Sequence, residues 1–333
     1  MIVYFHIGTH KTGTTSIQSL LHNNKDKLFE NGILYPESGS TKTNAHHNLV
    51  YESVSSWKYK SAFGGWSELE REVSEKQCDK VVLSAENFSG YYKSSQVISD
   101  ILFFCEKLNA KPVIVVTIRP QVEYIDSIYS QNCATGYESR KYDEFLMGCL
   151  SDPAFKFEVL LGRWFDAFSD VRVLDYTKFP ENENFSSFFS AIDCNVVFSV
   201  PEGASPLNSR RSAHVVEFCR KANEVLAGSK YLRPEVRHRV ISKVASLTAL
   251  KFEDSSPFLG MDKRKARLVD GVFSLQNHDF FRRRLGGEIL FNNLDVSKGR
   301  SNKSSVLDVE SSGKECFGSF MSIYTDALME VVS

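Results

Sequence analysis

The chain has 333 residues, of which 42% are hydrophobic, 12% aromatic and 24% charged. This composition is too apolar for a disordered chain and has no collagen-like or coiled-coil bias, so it indicates one large folded domain or two ordinary ones. The 40 basic and 41 acidic residues give a formal net charge of −1. The overall charge therefore offers no argument for a nucleic-acid partner.

The cysteines and the hydropathy pattern bear on the compartment. The seven cysteines are odd in number and lie among apolar neighbours or alone in polar segments, which matches neither a disulfide framework nor a zinc site. The chain has no apolar stretch of about 18 residues and no signal-like segment at its start. These features predict a soluble, cytoplasmic protein without a transmembrane segment.

Short apolar runs rich in β-branched residues predict buried strands at residues 2–7, 81–83, 113–118 and 171–174. Between them apolar residues recur with a period of about 3.6, as at residues 97–108, which predicts amphipathic helices. Buried strands that alternate with such helices are typical of a parallel sheet covered on both faces. The sequence therefore predicts an α/β fold, a three-layer sandwich with a central parallel sheet.

Two further stretches differ from this alternation. Residues 38–67 are rich in Ser, Asn, Tyr, Trp and His without a sustained period, which predicts a long loop or broken helices that carry substrate contacts. From about Asn208 the pattern becomes helical and no further strand is indicated. The expected division is a core at residues 1–200 and a mainly helical region at residues 201–333, packed on that core.

The first candidate site is the segment between the first predicted strand and the first helix, Gly8-Thr9-His10-Lys11-Thr12-Gly13-Thr14-Thr15-Ser16. Backbone N–H groups and the helix dipole favour an anion at such a place. The segment nearly fits the G-x-x-x-x-G-K-[ST] loop of nucleoside triphosphatases, but Thr14 follows the second glycine and the lysine stands at position 11. This displacement disfavours ATP hydrolysis and predicts a phosphate loop of another kind.

A second candidate phosphate site follows the strand predicted at residues 113–118, which ends in Arg119-Pro120. Pro120 suits the first turn of a helix, and Arg119 then lies at the edge of the sheet where ligands bind in α/β folds. Ser127 lies about two turns into that helix. Because Arg binds phosphate bidentately and Ser adds a hydroxyl, the pair predicts a second phosphate contact.

Residues 6–18 resemble the 5′-phosphosulfate loop of the sulfotransferases that use 3′-phosphoadenosine 5′-phosphosulfate (PAPS), in particular their bacterial carbohydrate-type branch. The Arg-and-Ser pair is similar to the 3′-phosphate site of the same family. The resemblance implies a P-loop-like fold, PAPS as co-substrate, 3′-phosphoadenosine 5′-phosphate (PAP) as product, and no metal. It implies cofactor binding by Lys11, Thr12, Gly13, Thr14, Thr15, Ser16, Arg119 and Ser127.

The resemblance covers about residues 1–180 and fades in the helical half of the chain. Many members of the family close over the nucleotide with a late basic loop that contains glycine. Lys298-Gly299-Arg300 is the candidate counterpart here. By the same resemblance Lys11 contacts the leaving phosphate and the sulfuryl oxygens.

Sulfuryl transfer to a hydroxyl also needs a base for the acceptor proton. Glu86 follows the strand predicted at residues 81–83, a place where the family often has its catalytic residue. The rival is one of the adjacent residues His46 and His47, because an imidazole with a pKa of about 6.5 is a suitable base. Both alternatives stay open, and His10, inside the loop, is expected to orient the loop.

The acceptor is suggested by local charge and by aromatic residues. Residues 205–300 contain 19 basic and 10 acidic residues, with clusters at residues 210–211, 263–267 and 282–284. These clusters indicate either a wall for an anionic glycan or ordinary solvated helix faces. Trp57, Trp66, Tyr51 and Tyr59 are candidates for stacking on sugar rings. Together with the resemblance, this predicts a hydroxyl of a carbohydrate or glycolipid as the acceptor.

The leading hypothesis is therefore a PAPS-dependent sulfotransferase of the EC 2.8.2 type. One alternative is a small-molecule kinase with a divergent P-loop, which turnover of ATP with Mg²⁺ would support. The other is a nucleotide-binding module without catalysis. No group of His, Cys, Asp and Glu has metal-ligand spacing, so no metal site is predicted.

Overall fold

The computed structural model describes residues 1–91, 93–179, 185–196, 198, 210–228, 233–253, 256–286, 306–307 and 314–332. The chain divides into two compact units. The first unit consists of Met1–Arg119, Pro153–Asn208 and Gln276–Phe291, and the second of Pro120–Asp152, Ser209–Leu275 and Asn292–Ser333. The predicted closing loop Lys298-Gly299-Arg300 lies outside the described residues.

The first unit is built on a parallel sheet with the strand order β2-β3-β1-β4-β5. The strands are β1 (Ile2–His6), β2 (Ile33–Leu34), β3 (Lys80–Ser84), β4 (Lys111–Ile118) and β5 (Val171–Asp175). The predicted α/β class with a central parallel sheet is confirmed. Strand β2 was not predicted, because two residues are too few to form a pattern.

Helices connect the strands and make up the second unit. In chain order they are α1 (Thr14–Asn23), α2 (Lys25–Glu30), α3 (His47–Ser53), α4 (Trp66–Lys76), α5 (Asn87–Gly90), α6 (Gln96–Lys107), α7 (Gln121–Ala134), α8 (Tyr142–Ser151), α9 (Phe157–Ala167), α10 (Ser186–Ala191), α11 (Ala213–Ala227), α12 (Pro234–Lys251), α13 (Lys263–Arg284) and α14 (Lys314–Val332).

The sheet of the first unit has an apolar core on each face. Successive side chains of a strand point to opposite faces, so Val3 and Phe5 of β1 enter one core and Tyr4 enters the other. The first core includes side chains of α3, α4, α6 and α9, and the second includes side chains of α1, α2 and α10. Complete burial of one large apolar side chain stabilises the fold by about 1.5–3 kcal/mol. Because helices cover the sheet on both faces, the first unit has the three layers of the predicted sandwich.

The strand order also defines where a ligand is expected. The chain leaves β1 toward β2 on one side and returns through β3, and it then crosses to β4 on the other side of β1. Ligands of open α/β sheets bind outside the carboxyl ends of the strands where this direction changes. The segment that begins at Gly8 lies directly after the carboxyl end of β1.

The second unit is helical in its described part, apart from one isolated bridge between Ser212 and Pro257. Its α11 carries Arg220, whose side chain is 4% exposed and forms an ion pair of 2.7 Å with Glu217. In the described parts of the chain, no helix is long and apolar enough to cross a membrane, and no group of three or more His, Cys, Asp and Glu is arranged to hold a metal ion. All seven cysteines are free.

Candidate functional site

The segment after β1 is fastened to the end of β4. The Thr9 N–H donates to the Thr117 carbonyl over 2.8 Å, and the Thr117 N–H donates to the Gly8 carbonyl over 2.6 Å. Inside the loop, the Thr12 hydroxyl donates to the Thr9 carbonyl over 2.6 Å. Because the Thr12 side chain is fully buried in this contact, it shapes the loop.

Two glycines allow the path of this loop. Gly13 has a φ of 79° and is the N-cap of α1, in the left-handed region that suits glycine. Gly8 has a φ of 90°, and a Cβ at this position would lie 2.8 Å from the Cβ of Glu86. The backbone after β3 therefore reaches the loop only because residue 8 has no side chain.

The N-terminus of α1 faces the loop and can receive an anion. The N–H groups of Ser16 and Ile17 donate to the Gly13 carbonyl over 3.1 Å each. The earlier N–H groups of a first turn have no acceptor inside the helix, and the helix dipole adds positive potential there. The half-buried Lys11 lies in the loop itself. Burial differs along this turn: Thr14 is buried, Thr15 is exposed and Ser16 is half-buried.

Arg119 lies beside the loop, directly after β4. Its Nη1 donates to the Lys11 carbonyl over 3.1 Å, and its guanidinium carbon lies 4.5 Å from the centroid of the Tyr176 ring. A guanidinium over an aromatic face is a favourable cation–π arrangement. The other predicted residue of this phosphate contact, Ser127, is half-buried in α7, which belongs to the second unit. Its role stays a prediction.

Glu86 and His47, which the sequence left as rivals, are neighbours. The Nε2 of His47, the first residue of α3, lies 3.7 Å from Oε1 of Glu86. Both side chains are mostly buried, with 14% and 19% exposed. The other carboxylate oxygen, Oε2, accepts a hydrogen bond of 3.1 Å from Nε2 of Gln18. The structure thus brings both candidate bases into one site beside the loop.

The electrostatics of the pair favour an anionic carboxylate. Burial acts to raise the pKa of Glu86. The positive charge that His47 carries when it is protonated and the hydrogen bond from Gln18 outweigh this effect, so the pKa of Glu86 lies below its ordinary value. Burial lowers the pKa of His47, although the Glu86 charge opposes this shift. At neutral pH the site therefore holds a carboxylate beside a neutral imidazole.

His46 occupies a different environment from His47. Its Nε2 donates to the Pro36 carbonyl over 2.9 Å, and its Nδ1 accepts from the Ser84 N–H over 3.1 Å. The side chain is fully buried, and burial lowers its pKa to about 4. Since both ring nitrogens are engaged and none of the ring is exposed, His46 fits a structural role, and it has no part in the proposal below.

His10 packs from the loop against α5. Its Nε2 lies 2.8 Å from the place that a Cβ on Gly90 would take, so the ring needs glycine there. Burial lowers the pKa of His10, and the Lys11 charge lowers it further, against the opposing effect of Glu86. The ring therefore adds a neutral wall to the site at neutral pH.

The aromatic residues of the segment 38–67 divide into exposed and packed side chains. Trp57 is 87% exposed. The Lys58 ammonium lies 5.8 Å from the Trp57 ring and 5.9 Å from the ring of Tyr51. Trp66, in contrast, packs on Phe104 with ring centroids 5.5 Å apart. Trp57 remains available for stacking, whereas Trp66 is part of the core.

A cleft of about 700 Å³ opens between the end of α3 and a second segment that contributes Gly90, Tyr91, Lys93, Ser94 and Gln96. Hydroxyl and amide groups of Ser53, Ser55, Ser94 and Gln96 form part of its lining, beside Val54 and Lys93. The basic clusters were expected to form either an anion wall or ordinary solvated helix faces. Several of their members form ion pairs that are typical of solvated helix faces: Arg283 with Glu158, Arg284 with Asp166, and Lys265 with Asp143.

Gln18, Ser84 and His6 belong to the site but were not predicted from the sequence. One signal was available for Gln18, because it lies on the buried face of α1 with Ile17 and Leu21, where a polar residue is unusual. Ser84 and His6 are the last residues of β3 and β1. They resemble ordinary strand ends in the sequence.

Comparison with known proteins adds one distant similarity. No family model matches the chain, and no curated protein matches it significantly. Among solved structures, the crystal structure of a sulfotransferase from Alicyclobacillus acidocaldarius is similar, with 14% sequence identity and a TM-score of 0.39. The similarity covers 62% of this chain and 87% of that one. It is too distant to assign an activity, which has to be argued from the site.

Proposed function

We propose that this protein is a sulfotransferase that moves the sulfuryl group of PAPS to a hydroxyl of a carbohydrate or glycolipid. One observation carries the proposal. The loop after β1 and the residue Glu86 adjoin at Gly8, where a Cβ would lie 2.8 Å from the Glu86 Cβ and 2.9 Å from its Cα. A site for a charged leaving group and a base for an acceptor hydroxyl thus adjoin each other, as group transfer to a hydroxyl requires.

The residues present suit the two phosphate groups of PAPS. The first turn of α1 and Lys11 would hold the 5′-phosphosulfate, because that turn offers backbone N–H groups and the lysine adds a positive charge. Arg119, next to the loop, would hold the 3′-phosphate by paired hydrogen bonds. Ser127 is assigned to the same phosphate by the family resemblance. When bound, PAPS supplies an activated sulfuryl group on a phosphate leaving group.

The side chains of the chain have separate tasks in this proposal. Lys11 stabilises the negative charge that develops on the leaving phosphate. Glu86 accepts the proton of the acceptor hydroxyl at Oε1, because Oε2 is already engaged by Gln18. His47 flanks Oε1 at 3.7 Å and affects how readily that oxygen takes a proton.

The base is assigned to Glu86 because of the arrangement of the two side chains. The Nε2 of His47 is directed at the carboxylate, and its Nδ1 is buried and has no hydrogen-bond partner among the residues that the structure describes. Neither nitrogen of His47 is open to an acceptor. Glu86 is ionised at neutral pH because its pKa is lowered, so it is ready to accept a proton.

The acceptor class is supported by two features near these residues. The cleft beside α3 is lined by hydroxyl and amide groups, which suit a polyhydroxylated ligand. Trp57 offers an exposed aromatic face for stacking, and Lys58 beside it adds a positive charge. The carbohydrate-type branch and an anionic glycan as acceptor are parts of the same proposal, and both depend on the family resemblance.

The test is calorimetric titration with PAP and with ADP under the same conditions. We expect tighter binding of PAP, since only PAP carries the 3′-phosphate. Equal affinity for the two nucleotides would contradict the proposal. Turnover of ATP with Mg²⁺ would instead support the kinase alternative.

The first prediction concerns Arg119. Arg119→Ala should weaken PAP about 10- to 100-fold, since hydrogen bonds to charged groups contribute about 1.5–3 kcal/mol, and it should change ADP affinity much less. The matched control is Arg172→Ala, which removes an arginine of β5 that pairs with Asp170 and Asp193. This control should leave the preference for PAP unchanged. An equal loss of PAP and ADP in Arg119→Ala would refute the assignment.

A further inference from the structure

A buried hydrogen-bond chain leads from the carboxylate of Glu86 into the sheet. It begins at Gln18, which lies one turn into α1 and is 2% exposed. The Gln18 Nε2 lies 3.1 Å from Oε2 of Glu86 and 3.3 Å from Oγ of Ser84. Since an amide nitrogen carries two hydrogens, it can donate one to each oxygen.

The chain continues from Ser84 to His6, at the ends of β3 and β1. The Ser84 Oγ lies 2.8 Å from the His6 Nδ1, and the His6 ring is fully buried. Burial lowers the pKa of His6 to about 4, so the ring is neutral at neutral pH. The Ser84 hydroxyl and the His6 Nδ1 can each be the donor of this hydrogen bond, according to the tautomer of His6.

The carboxylate of Glu86 fixes the orientation of the Gln18 amide. An ionised carboxylate can only accept a hydrogen bond, so the amide nitrogen, and not the amide oxygen, must face Oε2. The same nitrogen then donates to the Ser84 oxygen, which anchors the amide at the end of β3.

We propose that Gln18 is the positioning residue for the general base. It holds Oε2 of Glu86, so that Oε1 is directed toward His47 and the acceptor hydroxyl. It also stabilises the carboxylate relative to the carboxylic acid, because a donor binds a negatively charged oxygen more strongly than a neutral one. The inference rests on the proposed function, because Glu86 is a base only in a transfer reaction of this kind.

The other groups around the carboxylate do not replace this contact. Among the described residues, Gln18 provides the one side-chain hydrogen bond to Glu86. Four titratable groups in the described part of the chain interact electrostatically with Glu86. They are His47 of α3, His10 of the loop, His6 of β1, and Tyr35, which follows β2. Lys11 and Lys58 act on His10 and His47. Removal of Gln18 would therefore leave the Glu86 carboxylate with no side-chain donor among the described residues, and only its own backbone N–H would remain.

The experiment measures the titration of Glu86 itself. Protein labelled with ¹³C at the glutamate side-chain carboxyls is titrated by NMR, and the Glu86 signal is assigned by its absence in Glu86→Gln. In Gln18→Met, which keeps the size and removes both donors, the Glu86 midpoint should rise by about one pH unit. Gln18→Glu adds a second negative charge and should raise the midpoint further. An unchanged midpoint in a folded Gln18→Met protein would overturn the proposal.

Ser84→Ala is the graded control. It keeps Gln18 and Glu86 but removes the second acceptor that anchors the amide nitrogen, so the Glu86 midpoint should rise by less than in Gln18→Met. If Gln18→Met does not fold, as judged by circular dichroism, Ser84→Ala decides the matter, and no rise in that variant overturns the proposal.

The NMR measurement does not depend on sulfuryl transfer. If wild-type protein binds PAP and ADP equally while the midpoint still rises in Gln18→Met, the proposed function fails and the contact stands. If PAP is preferred but the midpoint is unchanged, only the role of Gln18 fails. With a working acceptor, the acid limb of the kcat/KM profile should move in the same direction as the Glu86 midpoint, which a purely structural role of Gln18 would not produce.

Discussion

The two units treat their buried polar groups differently. In the second unit, the Arg220 guanidinium donates to Glu217 over 2.7 Å and to the Ser139 carbonyl over 2.9 Å. One turn later, the Asn223 amide donates to the carbonyls of Cys133 and Glu138 over 2.8 Å each. These donors bind backbone and side chains together, and they hold the loop before α8 on α11.

In the first unit, buried polar side chains gather near the ends of β1, β3 and β4. Among the described residues, Nε2 of His6, Nδ1 of His47 and Oγ1 of Thr117 have no hydrogen-bond partner. A satisfied buried network stabilises a fold, whereas unsatisfied buried groups lower stability and tend to be retained where function needs them. We therefore expect the network on α11 to serve stability and the group near Glu86 to serve the proposed reaction.

The largest effect is expected for the base. Glu86→Gln should lower turnover by about 10²- to 10⁴-fold, because the amide cannot take the acceptor proton, while PAP affinity stays the same. Turnover is measured as PAP released from PAPS in the presence of a panel of sugar acceptors. His47→Ala is the matched variant and should lose less. A larger loss in His47→Ala than in Glu86→Gln would transfer the role of base to His47.

The second unit should respond in stability and not in nucleotide binding. Arg220→Ala removes the arginine of a buried ion pair and leaves the Glu217 charge buried without it, so the free energy of unfolding should fall by about 3–5 kcal/mol, measured by urea denaturation. Lys243→Ala is the control, because it breaks an ion pair with the exposed Glu330, and such pairs contribute about 0–1 kcal/mol. Similar losses in the two variants would contradict the contrast between the networks.

Acid should lower the free energy of unfolding, because His46 of the first unit is buried in its neutral form. Its pKa of about 4 in the folded protein lies below the ordinary value of about 6.5, so the unfolded chain binds the proton more readily. Stability is therefore retained above pH 6.5 and is lost as the pH falls from 6.5 toward 4, by about 3 kcal/mol in total. The measurement is the free energy of unfolding at both ends of this range. His46→Gln should depend less on pH, and an identical dependence would disprove the account.

Contiguous patterns of the sequence were sufficient for the fold class and for the loop. The apolar runs of β1, β3, β4 and β5 predict buried strands, because burial on both faces requires apolar residues throughout a strand. The proposed phosphate loop could be predicted from the sequence because its glycines, its lysine and the helix that follows are adjacent in the chain. The two-residue strand β2 was missed because it is too short to carry a period.

The composition of the site was decided only by the tertiary structure. Glu86 and His47 are 39 positions apart, and the sequence presented them as rivals. They meet because β3 lies beside β1 and because Gly8 has no Cβ to hold the next segment away. The same packing separates His47 from His46, whose ring nitrogens are engaged by backbone groups. The residue pattern of a short segment indicates which side chains are buried and which backbone conformation the segment adopts. Which polar side chains share a site is determined by the strand order and by close contacts between distant segments.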